Sequence, residues 1–238
     1  MPLIRPGIIE YEIEAALIGE FVRHGARGFS YSPIVASGSN ACVLHYMAND
    51  QSCKSGDTIL LDVAAEYANY KADLTRVVPV DGRFTQRQRA VYDAVLRIMR
   101  QAEQLLVLGN NITTYHQQVG EVVEQELVGL GLLDGTDLKN QSTDQPAYKK
   151  YFMHGTSHHL GLDCHDVADV FRKLEAGMVF TIEPAIYIRE EGIGMRLENN
   201  YVIRENGLEN LMATIPLEAE EIEDLMHARY GGTQKLAP

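Results

Sequence analysis

Along residues 8–24 the apolar positions return at helical intervals. Ile9, Ile13, Ala16, Leu17 and Val22 share one face, and Glu10, Glu12, Glu14 and Glu20 fall mostly elsewhere. This spacing predicts an amphipathic helix, closed by Gly25. The Gly/Ser/Pro-rich stretch 28–46 loses that period and reads as irregular chain running into short strands, with His45 at its end. Residues 57–80 carry two β-rich arms: Ile59, Leu60, Leu61 and Val63, then Leu74, Val77, Val78 and Val80, with a polar turn near Ala68-Asn69. A capping-box pattern at Thr85 to Gln88 opens a helix expected to run to about Leu108, with Val91, Val95, Ile98, Met99, Ala102, Leu105 and Leu106 as its stripe. A third helix is expected over about 114–130, with His116 on its surface. Residues 134–146 read as a polar loop, too short for a domain boundary. Residues 179–203 repeat the two-arm design, and a last helix is expected to start with Pro216 at its first position and run to about Ala228, before a frayed tail, 231–238.

Each two-arm segment carries a pair of acids in apolar surroundings. A hairpin centred near residues 67 and 68 would set Asp62 opposite Asp73, about 5 Å apart at Cβ. In the second segment the reversal at Arg189-Glu190-Glu191-Gly192 lies midway between Glu183 and Glu198, so these too should face each other. Like charges paired across strands cost stability unless a cation lies between them. An aspartate at a strand end can instead bond a turn, which suits Asp57 after Gly56 better than either of these.

Residues 154–166, HGTSHHLGLDCHD, hold four of the chain's eight histidines. Core packing explains such a cluster poorly, because each buried neutral imidazole needs a partner for both ring nitrogens. A metal ion or a reacting amide gives the cluster a purpose. Asp62, Asp73, His158, Glu183 and Glu198 form a cysteine-free, carboxylate-rich donor set suited to Mn²⁺, Co²⁺, Zn²⁺ or Fe²⁺. The number of carboxylates points to two ions, which can activate a water and polarise a carbonyl for hydrolysis.

Composition narrows the setting. Net charge is −12, which argues against sequence-independent nucleic-acid binding. The three cysteines, Cys42, Cys53 and Cys164, suggest no disulfide framework and fit a reducing, cytoplasmic compartment. The start MPLIRPG lacks the pattern of a secretory signal, and no run of about 18 apolar residues marks a membrane span.

The order Asp62-x10-Asp73, then HGTSHHLGLDCHD, then TIEPxxY and GIGxRLE resembles the catalytic domain of the aminopeptidase P and prolidase family, from about Pro6 to about Met226. The resemblance implies an α/β (α+β) pita-bread fold, two pseudosymmetric halves with antiparallel sheet flanked by helices, as one catalytic domain over 1–238. On this resemblance, the N-terminal domain usual in the family is expected to be absent. It further implies two divalent ions, Mn²⁺ first among the candidates, with Asp62 on one, His158 and Glu183 on the other, and Asp73 and Glu198 bridging. Glu183 would accept the proton of the attacking water, while His45, His154 and His165 would contact the substrate or the tetrahedral intermediate. Arg196 would balance the carboxylates, Tyr187 would line the pocket, and His159 would serve packing.

The function implied is release of an N-terminal residue from a peptide with proline second, with a homodimer as the default assembly. Prolidase, acting on Xaa-Pro dipeptides, is the near alternative. Methionine aminopeptidase shares the fold but reads His-Gly-x-Gly-His where this chain has His154-Gly-Thr-Ser-His158. A peptide-binding module on the same scaffold is the non-enzyme alternative; such a module and the metal-free relative creatinase lose ligands that are all present here.

Overall fold

The computed structural model describes residues 3–142 and 144–232. Helix α1 (Glu10–Arg23) is followed by β1 (Gly28–Phe29), β2 (Ile34–Ser37), β3 (Thr58–Asp62), β4 (Ala65–Tyr67), β5 (Tyr70–Lys71) and β6 (Thr75–Pro79). Helices α2 (Gln86–Leu105), α3 (Ile112–Gly129) and α4 (Gly135–Asn140) come next. The second group of strands is β7 (Val179–Ile182), β8 (Ala185–Ile188), β9 (Ile193–Arg196), β10 (Asn199–Arg204) and β11 (Gly207–Asn210), and α5 (Ala219–Gly232) closes the described chain.

All strand pairing is antiparallel: β2-β3-β6, β1-β4-β5, β7-β10-β11 and β8-β9. Each two-arm segment is one long hairpin whose ladder breaks midway and continues into another sheet. In the first, Asp62 pairs with Thr75 and Glu66 with Lys71, and Val63 N–H bonds Leu74 C=O across the break. In the second, Ile182 pairs with Asn199 and Ala185 with Arg196, and Leu197 N–H bonds Pro184 C=O across the break. Proline at 184 has no N–H to give a ladder, so a discontinuity there leaves no donor orphaned.

The second register places Glu183 opposite Glu198, as expected. The first departs from expectation. Its reversal lies between Ala68 and Asn69, both with positive φ (52° and 67°) in a tight two-residue turn, so Asp62 faces Thr75 and Asp73 falls opposite Ala64. The midpoint of the two aspartates is thus not the centre of the turn.

The helices cover these sheets. Every residue of β3 and of β6 is buried, so both faces of that sheet need cover. On α2 the stripe Val91, Val95, Ile98, Met99 and Ala102 is fully buried. Each of the larger of these contributes about 1.5–3 kcal/mol on burial, which outweighs the marginal stability of an isolated helix. The Thr85 capping box is present in both directions with Gln88. The helix ends at Leu105 rather than Leu108, because the Asn110 side-chain amide donates to Leu105 C=O.

Other expectations are corrected. Val22 is exposed, and Glu10, placed by periodicity off the apolar face, is fully buried. Residues 134–146 contain α4, whose N-cap Asp134 accepts from Thr136 and Asp137 N–H. His116 is half-buried and bonds Thr156 Oγ1 at 2.8 Å instead of facing solvent. Helix α5 begins at Ala219, three residues after Pro216. The frayed tail lies beyond the described residues from 233 onward.

Candidate metal centre

The breaks in the two ladders are where the acids sit. Asp62 is the last residue of β3, Asp73 lies between β5 and β6, Glu183 between β7 and β8, and Glu198 between β9 and β10. Residues 156–158 then run along this edge: Thr181 N–H bonds His158 C=O at 3.0 Å and Glu183 N–H bonds Thr156 C=O at 2.8 Å. His158 N–H returns to Thr181 Oγ1 at 3.2 Å, which fixes the histidine beside Glu183.

The two halves are joined at the same place. Glu198 N–H bonds Thr75 C=O at 3.1 Å, Thr75 Oγ1 donates to Glu198 Oε2 at 2.8 Å, and Arg76 donates to the carbonyls of both Glu198 and Thr75. Asn200 brackets the Asp73 backbone, accepting from its N–H and donating to its C=O.

A cavity of about 540 Å³ results, lined among the described residues by Asp62, Asp73, His158, Glu183 and Glu198. His45, His154, His165 and Arg196 also line it. Asp73, His158 and Glu198 each offer a ligand atom within 4.8 Å of the others. Asp62 and Glu183 stand outside that trio. Asp62 is held by Tyr31 Oη at 2.6 Å and by Arg196 Nη2 at 2.5 Å; Glu183 approaches His158 Nε2 at 3.8 Å and His154 Nδ1 at 3.6 Å.

Hydrogen bonds fix the imidazoles. His158 Nδ1 donates to its neighbour's carbonyl, His159 C=O, at 2.9 Å, so Nε2 points toward Asp73 Oδ2 at 3.4 Å, the orientation a metal-binding imidazole takes. His154 Nδ1 donates to Gly155 C=O at 2.8 Å, and Nε2 accepts from Tyr187 Oη at 2.9 Å. Tyr187 in turn accepts from Arg196 Nη1 at 2.7 Å, which sets the direction of the chain. Tyr187 is therefore corrected from a cavity-lining residue to one behind the lining: it is fully buried, and its hydroxyl orients His154. His159 packs its ring on Phe180 at 4.1 Å, as expected.

The electrostatics call for a cation. Burial pushes Glu183 up to about 8, with His158 and Arg196 opposing. Burial also raises Glu198, reinforced by Asp73 and Glu183, and raises Asp62 against the pull of Arg196. Asp73 is lowered: burial opposes this, but bonds from His158 and Cys164 prevail. His158 is raised by Asp73 and Glu183 despite burial, whereas burial drops His154 to about 3 and lowers His165. Among the described lining residues Arg196 is the lone guanidinium or ammonium against four carboxylates. Each uncompensated buried ion costs on the order of several kcal/mol, so this donor set fits divalent cations.

Sequence reasoning missed several contributors. Cys164 Sγ donates to Asp73 Oδ2 at 2.9 Å, Tyr31 holds Asp62, and Thr75 and Asn200 set Glu198 and Asp73. Of these Cys164 alone carried a signal, lying next to His165 inside the histidine stretch.

The profile of metallopeptidase family M24 matches residues 1–205. The chain belongs to metallopeptidase family M24. Among curated M24 relatives, the Xaa-Pro aminopeptidase of Haemophilus influenzae is 45% identical over 95% of this chain and 55% of its own length. That of Escherichia coli is 44% identical over 96% of this chain and 54% of its own. A solved structure of an E. coli aminopeptidase P variant in complex with substrate is 42% identical, with a TM-score of 0.90 over 97% of this chain and 55% of that one. This M24 chain thus spans about half the length of the curated relatives it matches. Its two hairpin halves and flanking helices form the pita-bread fold of the family.

Proposed function

We propose that this chain is the catalytic portion of an Xaa-Pro aminopeptidase that uses two divalent metal ions. The observation that carries the reading is the convergence of Asp62, Asp73, His158, Glu183 and Glu198 on one cavity with unbalanced negative charge. The relatives that span nearly all of this chain, and are named Xaa-Pro aminopeptidases, support it.

Asp62 would hold one ion and His158 with Glu183 the other, with Asp73 and Glu198 shared. Mn²⁺ is the first candidate, followed by Co²⁺, Zn²⁺ and Fe²⁺. When bound, two such ions supply an activated water and a polarised scissile carbonyl. Glu183, beside His158 in the same cavity, would hold the proton taken from that water. His45 and His165 line the cavity and make no hydrogen bond among the described residues, which leaves their ring nitrogens for a substrate carbonyl or the developing oxyanion. His154 has both nitrogens engaged, so its contact with a substrate requires exchange of one partner. Arg196, bonded to Asp62, Tyr187 and Thr75, fixes a positive charge against the acids. A homodimer and a cytoplasmic setting complete the reading; among the described residues no helix is long and apolar enough to cross a membrane.

A chain-length series tests it. With Mn²⁺ added, release of the first residue is expected from Xaa-Pro tripeptides and longer peptides. Cleavage of dipeptides alone would make it a prolidase, methionine release from peptides without proline would make it a methionine aminopeptidase, and binding without cleavage would make it a peptide-binding module.

A further inference from the structure

Helix α1 meets the segment carrying His45 through a carboxylate that no cation accompanies. Glu10, on the first turn of α1, is fully buried and forms no ion pair among the described residues. Its Oε1 accepts from Ser37 N–H (2.7 Å), Ser37 Oγ (2.7 Å) and Asn40 Nδ2 (3.2 Å). Its Oε2 accepts from Tyr46 Oη (2.8 Å) and Gln51 N–H (3.0 Å). A buried anion served by so many donors gives up much stabilisation when any of them is lost. One helical turn on, Glu14 accepts from Asn49 Nδ2 at 2.8 Å, and Asn49, at φ 46°, turns the chain back. The same segment is approached closely by β9 at Ala41. A Cβ on Gly194 would lie 2.3 Å from Ala41 C=O, so only glycine allows that approach.

His45 sits inside this bracket, adjacent to Tyr46, and its own side chain has no hydrogen bond among the described residues. The imidazole lines the cavity. The segment carrying it is tied to Glu10 through the backbone N–H groups of residues 37 and 51 and the side chains of Asn40 and Tyr46, and to Glu14 through the side chain of Asn49.

We propose that Glu10, acting chiefly through the Tyr46 hydroxyl, is a positioning residue for His45, holding an imidazole that has no hydrogen bond of its own at the cavity wall. The inference rests on the reading of His45 as a substrate-contacting group.

The test uses Tyr46→Phe, which removes one hydroxyl, beside Glu10→Gln, each alone and combined with His45→Ala. Two measurements are made on the metal-loaded chain: amide hydrogen exchange of residues 43–47, and kcat and KM on an Xaa-Pro tripeptide. Exchange is expected to rise in both variants with bound metal unchanged. In Tyr46→Phe kcat should fall roughly tenfold, within the loss of about 10²-fold that a misplacement near 1 Å can cause. In the His45→Ala background the same change should have little further effect, because the imidazole it positions is gone. Unchanged exchange in Tyr46→Phe, or a kcat loss of equal size with and without His45, overturns the proposal. Should the wild-type chain cleave no Xaa-Pro peptide, the functional reading fails, and exchange alone decides whether Glu10 orders this segment. If Glu10→Gln does not fold, Tyr46→Phe carries both arms.

Discussion

The side-chain amide of Asn200 accepts from the N–H of Asp73 at 3.1 Å and donates to its carbonyl at 2.6 Å. Asp73 lies in a ladder break, where no strand partner holds its backbone, so one side chain from the other half does so. Asn200→Ala is expected to lower metal affinity by about 10–100-fold, the usual cost of losing a group that orients a ligand. Titration of the chelated protein with Mn²⁺ measures this, and an unchanged affinity would remove Asn200 from the centre.

On the proposed shared role of these acids, Asp73→Ala and Glu198→Ala should each abolish turnover and reduce the stoichiometry of bound metal. Normal rates in either variant would refute the shared role.

His165→Ala is expected to behave differently. Its ring stands 4.1 Å from that of His158 and contributes no atom to the compact donor trio, so bound metal should persist while turnover falls by about 10²-fold or more. Loss of metal in step with activity would instead make His165 a ligand.

Tyr187→Phe should leave Arg196 Nη1 without its acceptor and His154 Nε2 without its donor. Turnover is expected to fall with metal content unchanged, and the histidine to lose its fixed orientation, seen as broadening of its ring resonances. Wild-type kinetics would show that the orientation is immaterial.

Acidity gives a further expectation for the ion-free protein. Glu183 rises from 4.5 to about 8 on folding, and Asp62 and Glu198 are raised too. A carboxyl raised in the folded state stabilises it below the unfolded value and loses that contribution as pH climbs toward the folded one. His154 and His165 are shifted down and so add stability as pH climbs toward 6.5. The melting temperature of chelated protein should therefore decline between about pH 6.5 and 8, where the raised carboxyls and His158 set the slope. Glu183→Gln should flatten the decline, and Mn²⁺ should reverse it. Asp73 is shifted the other way, so its contribution is lost only at lower pH. A melting temperature that climbs with pH over this interval would contradict the burial of these acids.

Much of this was legible in the residues, for reasons that can be stated. Glu183 and Glu198 are equidistant from an evident reversal at Arg189 to Gly192, so their pairing followed from counting. The first hairpin misled because Ala68-Asn69 is a tight turn without glycine, and the two aspartates are not symmetric about it. Helical periodicity assigned Glu10 to the solvent side; it carries no record of a segment 27 to 41 residues onward folding over that side. Tyr31 and Asn200 reach the site across 31 and 127 residues of sequence, and neither stands in a pattern that marks it.

The seam at Thr75 and Glu198 has one more consequence. Each half supplies two acids, and the bond joining them runs through Glu198, itself one of the proposed ligands, so neither half carries all four acids alone. A nascent or partly unravelled chain therefore carries an incomplete set of the proposed donors, and on the proposed function it would gain its hydrolytic capacity only once the two halves have met.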